Sequence, residues 1–132
     1  QDPLGKDIYH TNVLMCIATD FVMIGLDMIK NPARRAEIVE RLEESDRDVI
    51  DLTPSQINEF AGNAIELSGS QGRLLVLSQR AKASLSSEQI RRIEVSAQIV
   101  PLNVASLELA GGSIRCMLAG VHLSRREPKN PA

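Results

Sequence analysis

The hydrophobic pattern of the first fifty residues predicts two strands, a helix and a third strand. Near-continuous apolar runs at residues 8–18 and 21–29 are rich in Val, Ile and Met, which favours strands that are buried on both faces. Asn31 is a good N-cap and Pro32 suits the first helical position, so a helix is predicted to about residue 44. Residues 48–52 alternate between polar and apolar and predict a strand.

The same order of elements is predicted a second time along the chain. Residues 64–67 and 73–78 predict a hairpin, a helix follows, and residues 99–104 predict the closing strand of the unit. The two units show no close similarity in sequence, so the repeat rests on the order of elements alone. A last apolar run at residues 114–123 predicts one further strand, whose pairing partner must lie elsewhere.

Two capping boxes mark helix starts. Thr53 and Gln56 have the spacing at which each side chain can bond the backbone N–H of the other, and Ser86 and Gln89 repeat this arrangement. The first box predicts a short helix to about residue 60, which residues 62–63 (GN) would end.

Composition and charge narrow the function classes. Of 132 residues, 43% are hydrophobic and 24% are charged, which is typical of a globular domain. Aromatic residues make up 2%, and 15 basic residues stand against 17 acidic ones, so neither base stacking nor electrostatic attraction favours a nucleic acid partner. The sequence has no apolar run long enough to span a membrane, no phosphate-binding glycine motif and no metal-spaced cluster of His and Cys. We therefore expect no nucleic acid, membrane, metal or cofactor.

The two cysteines are too few for a disulfide framework and favour a reduced, cytoplasmic setting. Cys116 follows Gly111 and Gly112, which allow close approach of a substrate, and His10 stands ahead of the first apolar run. A Cys and a His that are distant in sequence and meet in the fold are the minimum set for thiolate catalysis. Arg115, as a strand neighbour, is expected to point to the opposite face. Glu108 is a candidate for a contact near the glycines.

Three segments carry a resemblance to a known family. Residues 9–13 (YHTNV), 58–64 (NEFAGNA) and 111–117 (GGSIRCM) resemble the C-terminal half of the amidinotransferase family, in the guanidine-modifying, pentein-type superfamily. The branch indicated is that of the citrulline-utilisation hydrolases. The resemblance covers residues 1–124 as one domain, followed by a polar tail at residues 125–132. It implies an α/β propeller of five ββαβ modules, of which this chain would hold two.

The resemblance also implies a chemistry. Cys116 would attack the central carbon of a guanidino or ureido substrate, such as arginine or citrulline, and His10 would protonate the leaving nitrogen and then activate the acceptor. Water as acceptor gives a hydrolase, and an amine gives an amidinotransferase. The carboxylates that bind substrate in the family would lie upstream of Gln1. We therefore expect an N-terminal remainder of the same protein to complete the site and this chain alone to be inactive; homo-oligomerisation is left open.

Asn12 departs from the pattern of many relatives, which have Asp two residues after the histidine. An Asn offers donors and an acceptor without charge. On a strand it would share a face with His10, where a substrate contact is expected. We hypothesise a neutral ureido substrate, or a cationic one whose charge is met elsewhere. An Asn that satisfies a loop backbone is an equally good interpretation.

Less specific interpretations stand beside this one. A free cysteine in an apolar run is often a core residue, and Cys16 is interpreted in that way. His122 is interpreted as a surface or strand-end residue. In a non-catalytic binding or assembly module of the same fold, Cys116 and His10 would be packing residues. An unrelated two-layer α/β domain would place them far apart.

Overall fold

The computed structural model describes residues 8, 10–121 and 123. His122 and the tail predicted at residues 125–132 lie outside the described residues. Within the described ranges, every helix is too short or too polar to serve as a transmembrane segment.

The segment after His10 is a turn and a short strand. α1 (Thr11–Leu14) is one helical turn, and β1 (Met15–Ile17) follows it. The strand predicted over residues 8–18 is therefore wrong in its first half. The cause is tertiary, because the end of α1 is bonded to another segment: the Leu14 carbonyl accepts a hydrogen bond from the Gly25 N–H at 3.1 Å.

The first sheet has three strands. β1 pairs antiparallel with β2 (Phe21–Ile24), and β2 pairs in parallel with β3 (Asp48–Asp51). All four residues of β2 are buried, as expected for a central strand with an apolar sequence. The crossover to β3 contains α2 (Pro32–Glu43), which begins after the N-cap Asn31 as predicted. The strand predicted at residues 21–29 ends earlier, because a 3₁₀ turn follows β2.

Helix α3 (Pro54–Asn58) connects the two sheets and confirms the first capping box. The Thr53 hydroxyl accepts from the Gln56 N–H at 3.2 Å, and the Gln56 side-chain oxygen accepts from the Thr53 N–H at 2.9 Å. The helix ends at Asn58 with Glu59 as its C-cap, and Phe60 follows with a left-handed φ of 62°. Its N–H and that of the next residue bond back into the last turn. The helix predicted to about residue 60 therefore ends two residues earlier, and Phe60 takes the left-handed position that the sequence assigned to residues 62–63.

The second sheet repeats the topology of the first. β4 (Ile65–Gly69) pairs antiparallel with β5 (Gly72–Ser78), and β5 pairs in parallel with β6 (Gln98–Leu102). The crossover contains α4 (Gln79–Ser84) and α5 (Ser87–Glu94). The predicted order of strand, strand, helix and strand therefore occurs twice, and the mixed α/β class is confirmed. The sequence pattern missed α4.

The two capping boxes are joined to each other. The Gln56 side-chain amide donates to the Gln89 side-chain oxygen at 2.7 Å, and the Gln89 amide donates to the Gln56 oxygen at 3.1 Å. Each oxygen also accepts the N–H of its own N-cap residue, Thr53 or Ser86. This reciprocal pair of glutamines links the start of α3 to the start of α5.

A single hydrophobic cluster underlies both sheets. Phe21, Met23 and Ile50 of the first sheet and Leu75 and Leu77 of the second are at most 1% exposed and belong to one group of packed residues. The two modules therefore share a core, and burial of their apolar faces is mutual.

The C-terminal apolar run does not form the predicted strand. α6 (Ala105–Glu108) is followed by a loop with two glycines and then by a 3₁₀ turn at Ile114–Met117. The physical reason is that a side chain from another segment, Asn63, caps this turn by accepting the N–H groups of Ser113 and Cys116. Cys116 therefore lies in a turn, and the strand alternation assumed for its neighbours does not apply.

Candidate active site

Two buried polar side chains stabilise the loop that carries Cys116 by a hydrogen bond to each other. The Ser113 hydroxyl donates to the Glu108 carboxylate at 2.7 Å, and these residues are 0% and 6% exposed. Between them, Gly111 has a left-handed φ of 91°, which favours glycine. A Cβ at Gly112 would lie 3.0 Å from the Cys116 Cβ. The glycines therefore allow a tight turn that leaves the Cys116 thiol exposed.

Asn63 joins this loop to the segment that carries His10. Its side-chain nitrogen donates to the Cys116 Sγ at 3.0 Å and to the Asn12 carbonyl at 2.7 Å. Its side-chain oxygen accepts from the N–H groups of Ser113 and Cys116 at 3.2 and 3.3 Å. Asn63 is 0% exposed, so the thiol and the backbone of α1 meet at one buried amide.

Gly62 allows α1 to come this close. A Cβ built at this position would lie 2.7 Å from the Val13 carbonyl oxygen and 2.8 Å from the Leu14 carbonyl carbon. These are backbone atoms that cannot rotate away, so the approach requires a residue without a side chain. The consequence is that the neighbouring Asn63 reaches the Asn12 carbonyl.

His10, Thr11, Asn12 and Arg115 line an open cavity of about 490 Å³. Cys116 is not one of the lining residues, but it is the neighbour of Arg115 and is bonded through Asn63 to the backbone of Asn12. Asn12 lies in a helical turn, so the prediction that it shares a strand face with His10 is wrong, although both residues line the same cavity. The buried Asn12 Oδ1 accepts no hydrogen bond within the described part of the chain.

A family model described as N,N dimethylarginine dimethylhydrolase, eukaryotic, matches residues 1–123. The chain belongs to this family. Neither the curated proteins nor the solved structures that were searched gave a significant match. The family is one of hydrolases that act on a guanidino compound, which supports the superfamily and the guanidino-hydrolase class predicted from the motifs. The match gives no support to the citrulline-utilisation branch or to the amidinotransferase alternative.

The other cysteine of this family member has a different environment. Cys16 is 4% exposed and belongs to the shared core, in line with its interpretation as a packing residue. Burial raises the pKa of the Cys16 thiol to about 12, and the nearby Glu66 carboxylate acts in the same direction. Arg115 lowers that pKa, and the effect of burial outweighs it. A thiol that stays protonated at neutral pH is a poor nucleophile.

The residues that follow α3 lead to Asn63 and are held by a side chain of α4. Arg80 of α4 donates to the Glu59 carboxylate at 2.7 Å, and its guanidinium lies 5.2 Å from the centre of the Phe60 ring. Phe60 has a left-handed backbone conformation, which is unfavourable for a residue with a side chain. The contacts with Arg80 stabilise this conformation three residues before Asn63. Arg80 was not singled out from the sequence, and Asn63 was interpreted there only as part of a helix end and of one motif.

No group of three or more His, Cys, Asp and Glu residues in the described ranges is arranged to hold a metal ion. The polar groups that converge near the cavity are instead an imidazole, two amides, a thiol and a guanidinium. A thiol and an imidazole are residue types that can act as nucleophile and proton carrier in nucleophilic displacement at a carbon centre.

Proposed function

We propose that this chain supplies the nucleophile and the acid–base residue of a hydrolase that acts on N,N-dimethylarginine or a similar guanidino compound. Cys116 is the nucleophile and His10 transfers protons. The observation that carries this proposal is the exposed Cys116 thiol, held by a buried amide that also bonds the α1 segment beside His10. Family membership supports the substrate class.

In this mechanism the Cys116 thiolate attacks the central guanidinium carbon and forms a C–S bond. His10 gives a proton to the dimethyl-substituted nitrogen, the C–N bond breaks, and dimethylamine leaves. His10 then accepts a proton from water, which attacks the same carbon and releases the thiolate. The net reaction consumes one water and yields dimethylamine and a ureido product. Two steps through a covalent intermediate replace one difficult displacement.

The charges of the residues around the cavity affect whether a cationic or a neutral substrate is favoured. Its lining residues include the cationic Arg115 and the neutral Asn12, and none of the lining residues described is a carboxylate. A guanidinium group would need negative charge from residues that do not line this cavity, whereas a neutral ureido group would not. We therefore retain the proposals that carboxylates from another segment or chain complete the site and that this chain alone turns over little substrate. Arrangement of the modules in a five-module propeller is part of the same proposal.

Release of dimethylamine tests the proposed reaction. The intact protein is expected to release dimethylamine from N,N-dimethylarginine, and in ¹⁸O-labelled water the ureido product should carry the label. Mass spectrometry of both products measures this. Added glycine is the control for an amidinotransferase, because a transferase would pass the amidino group to the glycine nitrogen. Unlabelled product, or transfer to glycine in place of hydrolysis, would contradict the assignment as a hydrolase.

Replacement of Asn12 by Asp tests its role as a substrate contact. The added carboxylate is expected to favour binding of the cationic N,N-dimethylarginine over binding of its neutral ureido product, citrulline, by about ten-fold, because a negative charge at the cavity favours a cation. The measurement is the ratio of the inhibition constant of citrulline to KM for N,N-dimethylarginine in the intact protein. Asn103→Asp adds the same charge at an exposed position and should leave the ratio unchanged. An unchanged ratio in Asn12→Asp would show that Asn12 does not contact the substrate.

A further inference from the structure

We infer that Asn63 is a positioning residue for the Cys116 thiolate: one side-chain N–H stabilises the sulfur anion, and the other fixes the α1 segment beside it. The inference rests on the proposed role of Cys116 as the nucleophile. It gives a role to a residue that acts through that thiol and to which the sequence analysis assigned none.

The Asn63 side chain uses its full hydrogen-bonding capacity. An amide side chain has two donors and an acceptor oxygen with two lone pairs, and all four have partners between 2.7 and 3.3 Å here. The orientation of the amide is fixed by these partners, because two backbone N–H groups face the oxygen and can only donate. The nitrogen must therefore face the Cys116 Sγ.

A hydrogen bond from a neutral donor to a thiolate stabilises the charged form without introducing a competing charge. The geometry suits this role, since Asn63 is fully buried and its amide cannot turn toward water. The same nitrogen holds the Asn12 carbonyl, so the position of the sulfur and the position of α1 are coupled through a single atom. A residue that served packing alone would not need a donor aimed at the thiol.

Asn63→Asp tests this inference with almost no change in shape. Asp retains an acceptor oxygen for Ser113 and Cys116 but places a second oxygen where the donor was. Iodoacetamide is expected to alkylate Cys116 about 10- to 100-fold more slowly at pH 7, as expected for loss of one hydrogen bond to a charged acceptor. At pH 10, where exposed thiols are ionised, the difference should shrink. Asn58→Asp, an exposed position in the same segment, should change neither rate.

The expected effect on turnover is a fall in kcat with little change in KM, because the thiolate acts after substrate binding. A purely structural role predicts something different: a lower melting temperature and equal loss of alkylation at both pH values. That result would overturn the inference.

A measurement on the unaltered protein covers the case in which Asn63→Asp does not fold. The ¹⁵N-resolved side-chain amide signals of Asn63 are expected to shift when Cys116 is alkylated and to titrate together with its thiol. A Cys116→Ala variant should lose the titration. Amide signals that do not change when the Cys116 thiol is alkylated or ionised would refute the hydrogen bond between Asn63 and Cys116. If the alkylation and amide effects are found but dimethylamine release is not, the proposed function fails and the role of Asn63 stands.

Discussion

Cys116→Ala is expected to abolish dimethylamine release, with a loss of at least about 1,000-fold in kcat, because the other cysteine of this chain, Cys16, is buried and cannot replace the nucleophile. The variant should also lose the fast phase of alkylation by iodoacetamide. Cys16→Ala is the matched control and should retain both properties, since Cys16 lies in the core. Turnover assays and mass spectrometry of the alkylated chain measure the two effects.

The rate at which Cys16 is alkylated should depend on pH because the residue is buried. A pKa of about 12 leaves roughly one Cys16 thiol in 10,000 ionised at pH 8. Because that pKa is raised, the rate of Cys16 alkylation by iodoacetamide should rise about ten-fold per pH unit from pH 8 toward pH 12. Equal alkylation of the two cysteines at pH 8 would contradict the assignment. Exposed, reactive Cys116 in an intact protein without turnover would instead favour the non-catalytic module.

Gly62→Ala is expected to reduce kcat by about 100-fold, the size of loss that a misplacement of about 1 Å can cause. The added methyl group would meet the carbonyl groups of Val13 and Leu14 at less than 3.0 Å, so α1 must move away from Asn63. His10 and Asn12 would move with it. The readouts are kcat for dimethylamine release and the Cys116 alkylation rate.

Gly69→Ala controls for the general effect of adding a methyl group at a tight glycine. A Cβ there would meet the Leu74 side chain at 3.1 Å, and this side chain can adjust. The Gly72 carbonyl oxygen would lie at 3.2 Å, which requires a backbone shift of only a few tenths of an ångström in the β4–β5 turn. We expect a small change in melting temperature and no change in kcat. If Gly62→Ala retained activity within about three-fold, close approach of α1 would not be needed for the site.

The sequence was most informative where structure depends on local chemistry. Both capping boxes and the Asn31 cap are present as predicted, because they need only residues three apart. The strand-strand-helix-strand order was also recovered, since a central strand buried on both faces leaves a continuous apolar run. The Schellman-type end of α3 was misplaced because Phe60, and no glycine, takes the left-handed position.

The candidate site was only partly accessible from the sequence, because its geometry is built from long-range contacts. Cys116 and His10 could be chosen by residue type and motif, but the turns in which they lie form against other segments. An apolar run such as residues 114–123 does not by itself reveal that Asn63, about fifty residues earlier, supplies its cap. The available signals were the motif at residues 58–64 and, within it, a polar Asn in the small, apolar stretch at residues 61–64 (AGNA).

The paired glutamines of the capping boxes also affect how the chain opens. If the Gln89 side chain turns away, the Ser86 N–H loses its acceptor and the Gln56 side chain loses the two hydrogen bonds that it shares with Gln89. The Thr53 N–H stays bonded to Gln56, so α3 keeps its cap but is held less firmly to the start of α5. Because α3 leads to Asn63, we expect fraying of α5 to loosen the segment that carries the amide beside the thiol.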